Sequence, residues 1–272
     1  MKKITYKMEL LSSLIVSPRA GQAFYYGVDP FCREPVLDPS LTNSKDKDAV
    51  KVKVVYPFYQ YGEYEEYDPD HAAYYLPGSS VKGALLQKNE KKLRIMVDDV
   101  PIGRDKIVLR NLVKAQYVDQ DEEAVFAPFF NNIGVEMVKA GTVLKGELCL
   151  EDDEDFKAIL KSANKATKKK VKQMFGYLEK LTKIQYKNED FRKELSGMME
   201  ALTRMAERKD VILVGGYKGL RHSILLRMKK KGEEQDNNRD DEDAGSGLFL
   251  DRETQLPHGF VSIQCESEEQ IL

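Results

Sequence analysis

The hydrophobic period of the sequence changes twice, and this change constrains the fold more than any other feature. Upstream of residue 151, apolar and polar residues alternate in short runs such as 3–16 and 106–114, which is typical of β-strands. Between residues 151 and 209 apolar residues recur at helical spacing, which predicts about three amphipathic helices. Strand-like runs return at 211–214 and 259–265. Because strands and helices interleave without a regular βαβα rhythm, the sequence predicts an α+β fold with antiparallel pairing.

Two segments interrupt this pattern within what we interpret as a single domain over residues 1–272. Residues 19–70 are crowded with Tyr, Pro, Gly and Asp, although the run 50–55 resembles a strand. Loops of this length are uncommon in compact domains, so we interpret 19–70 as an insertion. Residues 229–247 are charged and free of aromatic residues, which predicts a flexible loop.

Composition excludes several classes of protein. No stretch approaches the roughly 18 apolar residues of a membrane span, and the first residues alternate as a strand does, so we expect a cytoplasmic protein that contacts no membrane. Three cysteines and three histidines are scattered without CxxC pairs, so we expect no metal site and no cofactor. The net charge of −2 provides no global attraction for nucleic acid, so any anion site must arise locally.

The first candidate site is the run from Pro77 to Gly83, which reads PGSSVKG. A Pro-Gly turn followed by two hydroxyl residues and an apolar run predicts a helix N-terminus capped by Ser79 or Ser80. Such an end attracts anions, and Lys82 adds a positive charge. Gly78 and Gly83 would leave room for a ligand backbone. The alternative is a capped helix that binds nothing.

The second candidate site is the glycine-rich run that follows the short strand 211–214. Glycines permit close approach of a ligand, an aromatic ring can stack on a base, and basic side chains can contact phosphates. This mixture suits single-stranded RNA. The alternative is a tight turn with surface charges. The candidate residues are Gly215, Gly216, Tyr217, Lys218, Gly219, Arg221 and His222.

A third motif lies between the two. Residues 133–150 are predicted to form a hairpin that turns at 139–142, and its first half reads VEMVKAGT from Val135 to Thr142. Three runs resemble motifs of the RAMP superfamily of CRISPR proteins, and they occur in the same order along the chain. Residues 75–85 resemble its "(I/L)PGSSxKGAxR" helix start, residues 135–142 its "E-x-(V/L)-x-x-G-T" hairpin, and residues 214–219 its C-terminal glycine-rich loop.

The resemblance implies a ferredoxin-like (RRM-like) core and a place in a ribonucleoprotein built around a CRISPR RNA. The hairpin and the helical region 151–209 look most like the Csm subunit that caps the 3′ end of the guide in type III-A complexes. Expected partners are CRISPR RNA and other RAMP subunits of a type III effector complex, with target RNA as a further candidate. Arg19 could also touch nucleic acid. The sequence departs from the family where Asn111 replaces a common aspartate and where the turn after the first strand reads SPRAG.

Two other functions remain open. Some RAMP proteins are endoribonucleases, and the candidates for general acid, base or cleavage residue here are His71, His222, Asp29 and Asp38. A protein-interaction module is the third, with the amphipathic runs 170–183 and 190–208 docking a partner. The leading hypothesis is a non-catalytic subunit that binds guide RNA and its neighbours.

Overall fold

The computed structural model describes residues 1–16, 22–37, 52–87, 93–118, 123–128, 131–184, 189–216 and 247–271. In these ranges the chain forms α1 Gly78–Leu85, α2 Phe156–Thr182 and α3 Glu189–Glu207. The strands are β1 Lys2–Leu10, β2 Phe24–Tyr25, β3 Val54–Tyr56, β4 Tyr75–Leu76, β5 Ile95–Val97, β6 Val100–Pro101, β7 Ile107–Arg110, β8 Val113–Val118, β9 Glu123–Pro128, β10 Ile133–Val138, β11 Val143–Leu150, β12 Val211–Leu213, β13 Leu248–Asp251, β14 Leu256–Pro257 and β15 Phe260–Gln270. The predicted mixed α+β class with antiparallel sheets is confirmed.

The central sheet has five strands in the order β12-β15-β1-β11-β5. β1 pairs antiparallel with both β11 and β15, so it is enclosed on each side. Ile4, Tyr6, Met8 and Leu10 alternate along β1 and are fully buried, because the helix α1 and the first half of α2 cover that face. The other face carries charged residues joined across strands, including the ion pair between Lys3 and Glu147.

Two four-stranded sheets and a short pair surround this layer. The sheet β2-β3-β10-β7 is built partly from residues of the run 19–70, and β10 lies parallel to β3 and antiparallel to β7. The sheet β14-β13-β8-β9 packs with α2 and α3 in a second apolar cluster. The short pair joins β4, which directly precedes α1 in the chain, to β6, which follows it. That 19–70 is an insertion in a single domain stays a prediction.

The helical region behaves largely as its period indicates. α2 begins after Asp155, whose carboxylate accepts a hydrogen bond of 2.9 Å from the Lys157 backbone N–H. Met174 and Met198 are 0% and 1% exposed, so the methionine stripe belongs to the core, where an unbranched thioether fills irregular space. In the described part of 151–209 there are two helices rather than about three.

Two strand predictions are wrong in their pairing or their limits. β10 and β11 do not form the predicted hairpin, because β10 joins the sheet with β3 and β7 whereas β11 pairs with β1 and β5. The left-handed φ of 76° at Gly141 does turn the chain as expected, but it turns it from one sheet into another. The run 106–114 is likewise divided between β7 and β8 at Asn111.

The predicted flexible loop 229–247 lies outside the described residues except for Gly247. None of the described helices is long and apolar enough to cross a membrane.

Candidate nucleic-acid interface

The PGSSVKG run forms the start of a helix, as its sequence predicts. Pro77 is the N-cap residue, with extended φ and ψ of −60° and 130°, and α1 follows directly. The expected capping role of Ser79 and Ser80 is wrong, because both lie inside the first turn of the helix. The Gly78 N–H instead donates to Oδ1 of Asp99 at 2.7 Å. A carboxylate of the same chain therefore occupies the position where the helix end would attract an anion.

The two glycines of this run have different roles. A Cβ on Gly78 would lie 2.0 Å from the Val97 carbonyl oxygen, so this glycine serves the packing of α1 against β5 and leaves no room for a ligand. A Cβ on Gly83 would meet nothing within 4 Å. Glycine is disfavoured inside a helix by roughly 1 kcal/mol relative to alanine, so Gly83 costs stability without an internal packing reason. The expected room for a ligand exists at Gly83 and not at Gly78.

The two glycines at the start of the glycine-rich loop also differ in their roles. Gly215 has a left-handed φ of 77°, and a Cβ there would lie 2.4 Å from the Ile15 carbonyl oxygen. The Gly216 N–H donates to that same oxygen at 3.0 Å. Around Gly216 a Cβ would meet nothing within 4 Å. Gly215 is thus required by the fold, whereas Gly216 is open on its Cβ side.

The structure places the end of α1 beside the beginning of this loop. Gln87, in the turn after α1, donates from Nε2 to the Leu213 carbonyl oxygen at 3.1 Å. Ser79, Lys82 and Gly83 are exposed along α1. We call the set of Ser79, Lys82, Gly83 and Gly216 the α1–glycine surface. Six predicted site residues lie outside the described residues: Arg19, Tyr217, Lys218, Gly219, Arg221 and His222.

The glutamate of the third motif lies at the floor of a cleft. Glu136 is 1% exposed, and its carboxylate accepts hydrogen bonds from the Phe58 N–H at 2.9 Å, the Tyr74 hydroxyl at 2.7 Å and the Tyr67 hydroxyl at 3.2 Å. Burial raises the pKa of Glu136, and the three donors oppose that rise. The cleft above it has a volume of about 510 Å³, with Arg33 and Arg104 among its lining residues. All three donors lie between residues 58 and 74, so Glu136 anchors that segment to β10.

The candidates for catalysis are dispersed. His71 is 83% exposed, and its Nδ1 lies 2.7 Å from Oδ2 of Asp68; this hydrogen bond holds the pKa of Asp68 below its ordinary value. The Asp29 carboxylate accepts from the Tyr25 N–H at 2.6 Å, which is a local turn contact. Asp38 and His222 lie outside the described residues.

The fold also groups residues that are scattered in the sequence. Ligand atoms of Cys32, Asp68 and Asp70 lie within 4.8 Å of one another on the surface. Arg33 forms an ion pair of 3.2 Å with Asp70, and the Cys32 thiol, whose pKa burial raises to about 11, donates to Asp68 at 3.3 Å. These contacts join the three residues to one another and to Arg33.

A buried Ser-His-Asp group is likewise structural. Oγ of Ser13 lies 2.8 Å from Nδ1 of His258, and the Asp251 carboxylate accepts a hydrogen bond from the Ser13 backbone N–H. All three residues are at most 2% exposed. A catalytic triad requires the serine hydroxyl to reach substrate, and the Ser13 hydroxyl is buried in the core.

Comparisons with known proteins find similarity among solved structures. No family model matches the chain, and no curated protein matches it. Among solved structures, the chain is similar to a chain in the cryo-EM structure of a Csm–crRNA–target RNA ternary complex of a type III-A CRISPR-Cas system. The TM-score is 0.49 at 13% identity, and the match covers 97% of this chain and 100% of the other. Identity this low assigns no residue a role.

Proposed function

We propose that this chain is a non-catalytic RNA-binding subunit of a type III CRISPR ribonucleoprotein. It would contact the guide RNA near its 3′ end and touch neighbouring RAMP subunits. RNA-guided defence against foreign nucleic acid would then be the function of the assembly. Within it, the α1–glycine surface and the basic residues that follow Gly216 in sequence would hold the RNA backbone.

The order of elements in the central sheet supports a ferredoxin-like core. Taken along the chain, β1, α1, β5, β11, α2 and β15 follow the β-α-β-β-α-β order of that fold, with the other strands added between and beside them. The described residues of the uncovered sheet face do not offer the exposed stacking aromatics of an RRM. Several of its charged residues are joined in ion pairs, such as Lys145 with Glu266. The proposed RNA contacts therefore lie at the strand ends and on α1 instead.

The observation that carries the proposal is the pair of open glycines, Gly83 and Gly216. Each belongs to a motif shared with RNA-binding RAMP proteins, and neither is required by the packing of this chain. A glycine that the fold does not need is explained when another backbone must come close. The exposed Lys82 lies beside Gly83 in sequence, and a lysine is suited to a phosphate of that backbone.

The direct test is purification of the tagged protein from its native host, followed by mass spectrometry and RNA sequencing. Recovery of other type III subunits with short CRISPR-derived RNAs sharing one end would support the proposal. Recovery of the protein alone, or with unrelated RNA, would contradict it.

Replacing Lys82 and Lys218 together by alanine should reduce guide retention and weaken RNA binding roughly tenfold near physiological salt. Each lost phosphate contact on single-stranded RNA should lower the slope of log K against log salt by about 0.7. Filter binding over a range of salt measures both effects. The matched control replaces Lys161 and Lys172, exposed lysines of α2, and should leave the slope unchanged. Equal slopes of log K against log salt for the two double variants would show that Lys82 and Lys218 do not contact the RNA.

The exposed pair of His71 and Asp68 favours an endoribonuclease as the second candidate. A carboxylate 2.7 Å from Nδ1 fixes the ring and leaves Nε2 to act as a general acid or base. We expect no specific cuts when the pure protein is incubated with repeat RNA or with target RNA. Specific cuts that disappear in both His71→Ala and Asp68→Asn would instead establish the enzyme.

A further inference from the structure

Two tyrosines form a rigid, exposed stack directly before α1. The rings of Tyr61 and Tyr75 are 4.1 Å apart between centroids and inclined by 15°, and Tyr61 is 53% exposed. Tyr59 packs against the inner side of Tyr75, with centroids 5.8 Å apart. Backbone hydrogen bonds of 3.0 Å from Tyr61 N–H to the Ala73 carbonyl and from Tyr75 N–H to the Tyr59 carbonyl hold both residues in place. The stack is therefore held in place through its backbone, and Tyr61 remains exposed.

The loop that carries Tyr61 is fixed by its own turn. Gly62 has a left-handed φ of 94°, and the hydroxyl of Tyr64 accepts the Gln60 N–H at 3.0 Å. An interaction surface that is already ordered loses little conformational entropy when a partner binds. The turn thus holds the Tyr61 ring in a position from which it can receive a ligand.

The charge around this stack is negative. The run 61–66 contains Glu63, Glu65 and Glu66, all exposed, and no lysine or arginine. Asp99 accepts the hydrogen bond from the Gly78 N–H and lies close to Tyr75. The pKa of Tyr75 is raised, first by burial and then by the charge of Asp99. Among the described residues, neither Asp99 nor Glu63 forms an ion pair with a cation of the chain. We call Tyr61, Tyr75, Glu63 and Asp99 the tyrosine–carboxylate surface.

We propose that the tyrosine–carboxylate surface binds an arginine or lysine side chain from a neighbouring protein. A guanidinium group stacks on a tyrosine face through cation–π attraction and forms charge-assisted hydrogen bonds with carboxylates. The surface offers such a group both an aromatic ring and carboxylates, and the two are adjacent. A basic protein segment therefore matches the surface in shape and in charge.

RNA matches this surface less well than a basic segment does. Aromatic rings can stack on bases, but single-strand binding sites combine such rings with a positive groove that follows the phosphates. Here the rings are accompanied by carboxylates, which repel phosphate. The two ends of α1 differ, because the Asp99 carboxylate caps the N-terminal end whereas the exposed Lys82 and Gly83 lie toward the other end.

The identification of the neighbour as another subunit of the same complex rests on the proposed function. The chemistry of the tyrosine–carboxylate surface does not depend on that function. The two can therefore fail separately. Loss of the RNA effects expected for Lys82 and Lys218 would leave this surface in place, and failure of the peptide experiment below would leave the RNA-binding role in place.

The test measures binding of the full chain to a short peptide of alternating glycine and arginine, to the same peptide with citrulline in place of arginine, and to oligouridylate. Citrulline keeps the shape of arginine without its charge. The variants are Tyr61→Ala, Tyr61→Phe and Asp99→Asn; asparagine retains an oxygen acceptor for the Gly78 N–H. The matched control is Tyr25→Ala, because Tyr25 is similarly exposed, at 49%, and takes no part in the stack.

We expect the wild-type chain to bind the arginine peptide and to discriminate against the citrulline peptide. Tyr61→Ala and Asp99→Asn should each weaken binding about fivefold or more, whereas Tyr61→Phe and Tyr25→Ala should stay within about twofold. None should change oligouridylate binding. If Tyr61→Ala also lowers the melting temperature, its loss of affinity no longer reports on the surface alone. The peptide affinity of Asp99→Asn then decides the test. Unchanged peptide affinity in Asp99→Asn and Tyr61→Ala, or a loss confined to oligouridylate, would overturn the proposal.

Discussion

Gly78→Ala should lower the free energy of unfolding by about 3 kcal/mol, which corresponds to a fall in melting temperature of roughly 6–12 °C. The added methyl group would lie 2.0 Å from a backbone oxygen of Val97, so β5 or α1 must shift to accommodate it. No flexible side chain can yield in its place. Thermal unfolding of the purified variant measures the effect.

Gly83→Ala, in the same helix, should raise stability by about 0.5–1 kcal/mol, because alanine favours the helix and the methyl group meets nothing. Under the proposed function it should also weaken RNA binding. Gly176→Ala in α2 is the matched control, since a Cβ there also meets nothing within 4 Å. It should gain stability and leave RNA binding unchanged. Equal RNA affinity in the two variants would mean that no RNA backbone approaches Gly83.

Glu136→Ala should destabilise the fold by about 3–4 kcal/mol, because it leaves two tyrosine hydroxyls and the Phe58 N–H buried without their acceptor. Urea denaturation checks this value. Tyr67→Phe removes one donor and leaves the carboxylate in place, so it should cost much less. A loss for Glu136→Ala no larger than for Tyr67→Phe would show that the carboxylate does not anchor the segment 58–74.

The same residue should make stability depend on pH. Burial raises the pKa of Glu136 in the folded state above its ordinary value of 4.5, so the folded chain binds more protons than the unfolded chain between these two values. The contribution of Glu136 to stability is therefore greatest below 4.5 and decreases as the pH rises through its folded pKa. Glu136→Gln cannot titrate, and subtracting its unfolding free energies from those of the wild type should isolate the decrease. A difference that is flat with pH, or that rises, would contradict the raised pKa.

Local signals in the sequence predicted α1, the helical region and the strands β1, β10, β11, β12 and β15, but not how the strands pair. Pro77 and the apolar run after it predict α1, and the helical period predicts where α2 and α3 lie. The turn at Gly141 was also predicted. Pairing of β10 with β3 and β7 depends on residues distant in the chain, and the chemistry of a turn does not reveal whether the two strands it joins share a sheet.

The candidate residues follow from local sequence patterns, and their role in binding stays a prediction. Gln87 brings the described parts of the PGSSVKG and GG segments together, which no local pattern indicates. Close approach of Gly78 to Val97 was not predictable, since nothing local indicates that β5 passes over that glycine. The stack of Tyr61 and Tyr75 was missed for a similar reason. Its only sequence signal is the density of tyrosines between residues 56 and 75.

The position of β1 between β11 and β15 determines the order in which the molecule can be completed during synthesis. At typical elongation rates, roughly ten seconds to a minute separates the emergence of β1 from that of β15. During that interval one edge of β1 has no partner, and an unpaired strand edge can recruit other chains. Lys2, Lys3 and Lys7 place charge along this strand, which makes edge-to-edge association less favourable. The lysines of β1 should therefore disfavour association through this edge until β15 pairs with it.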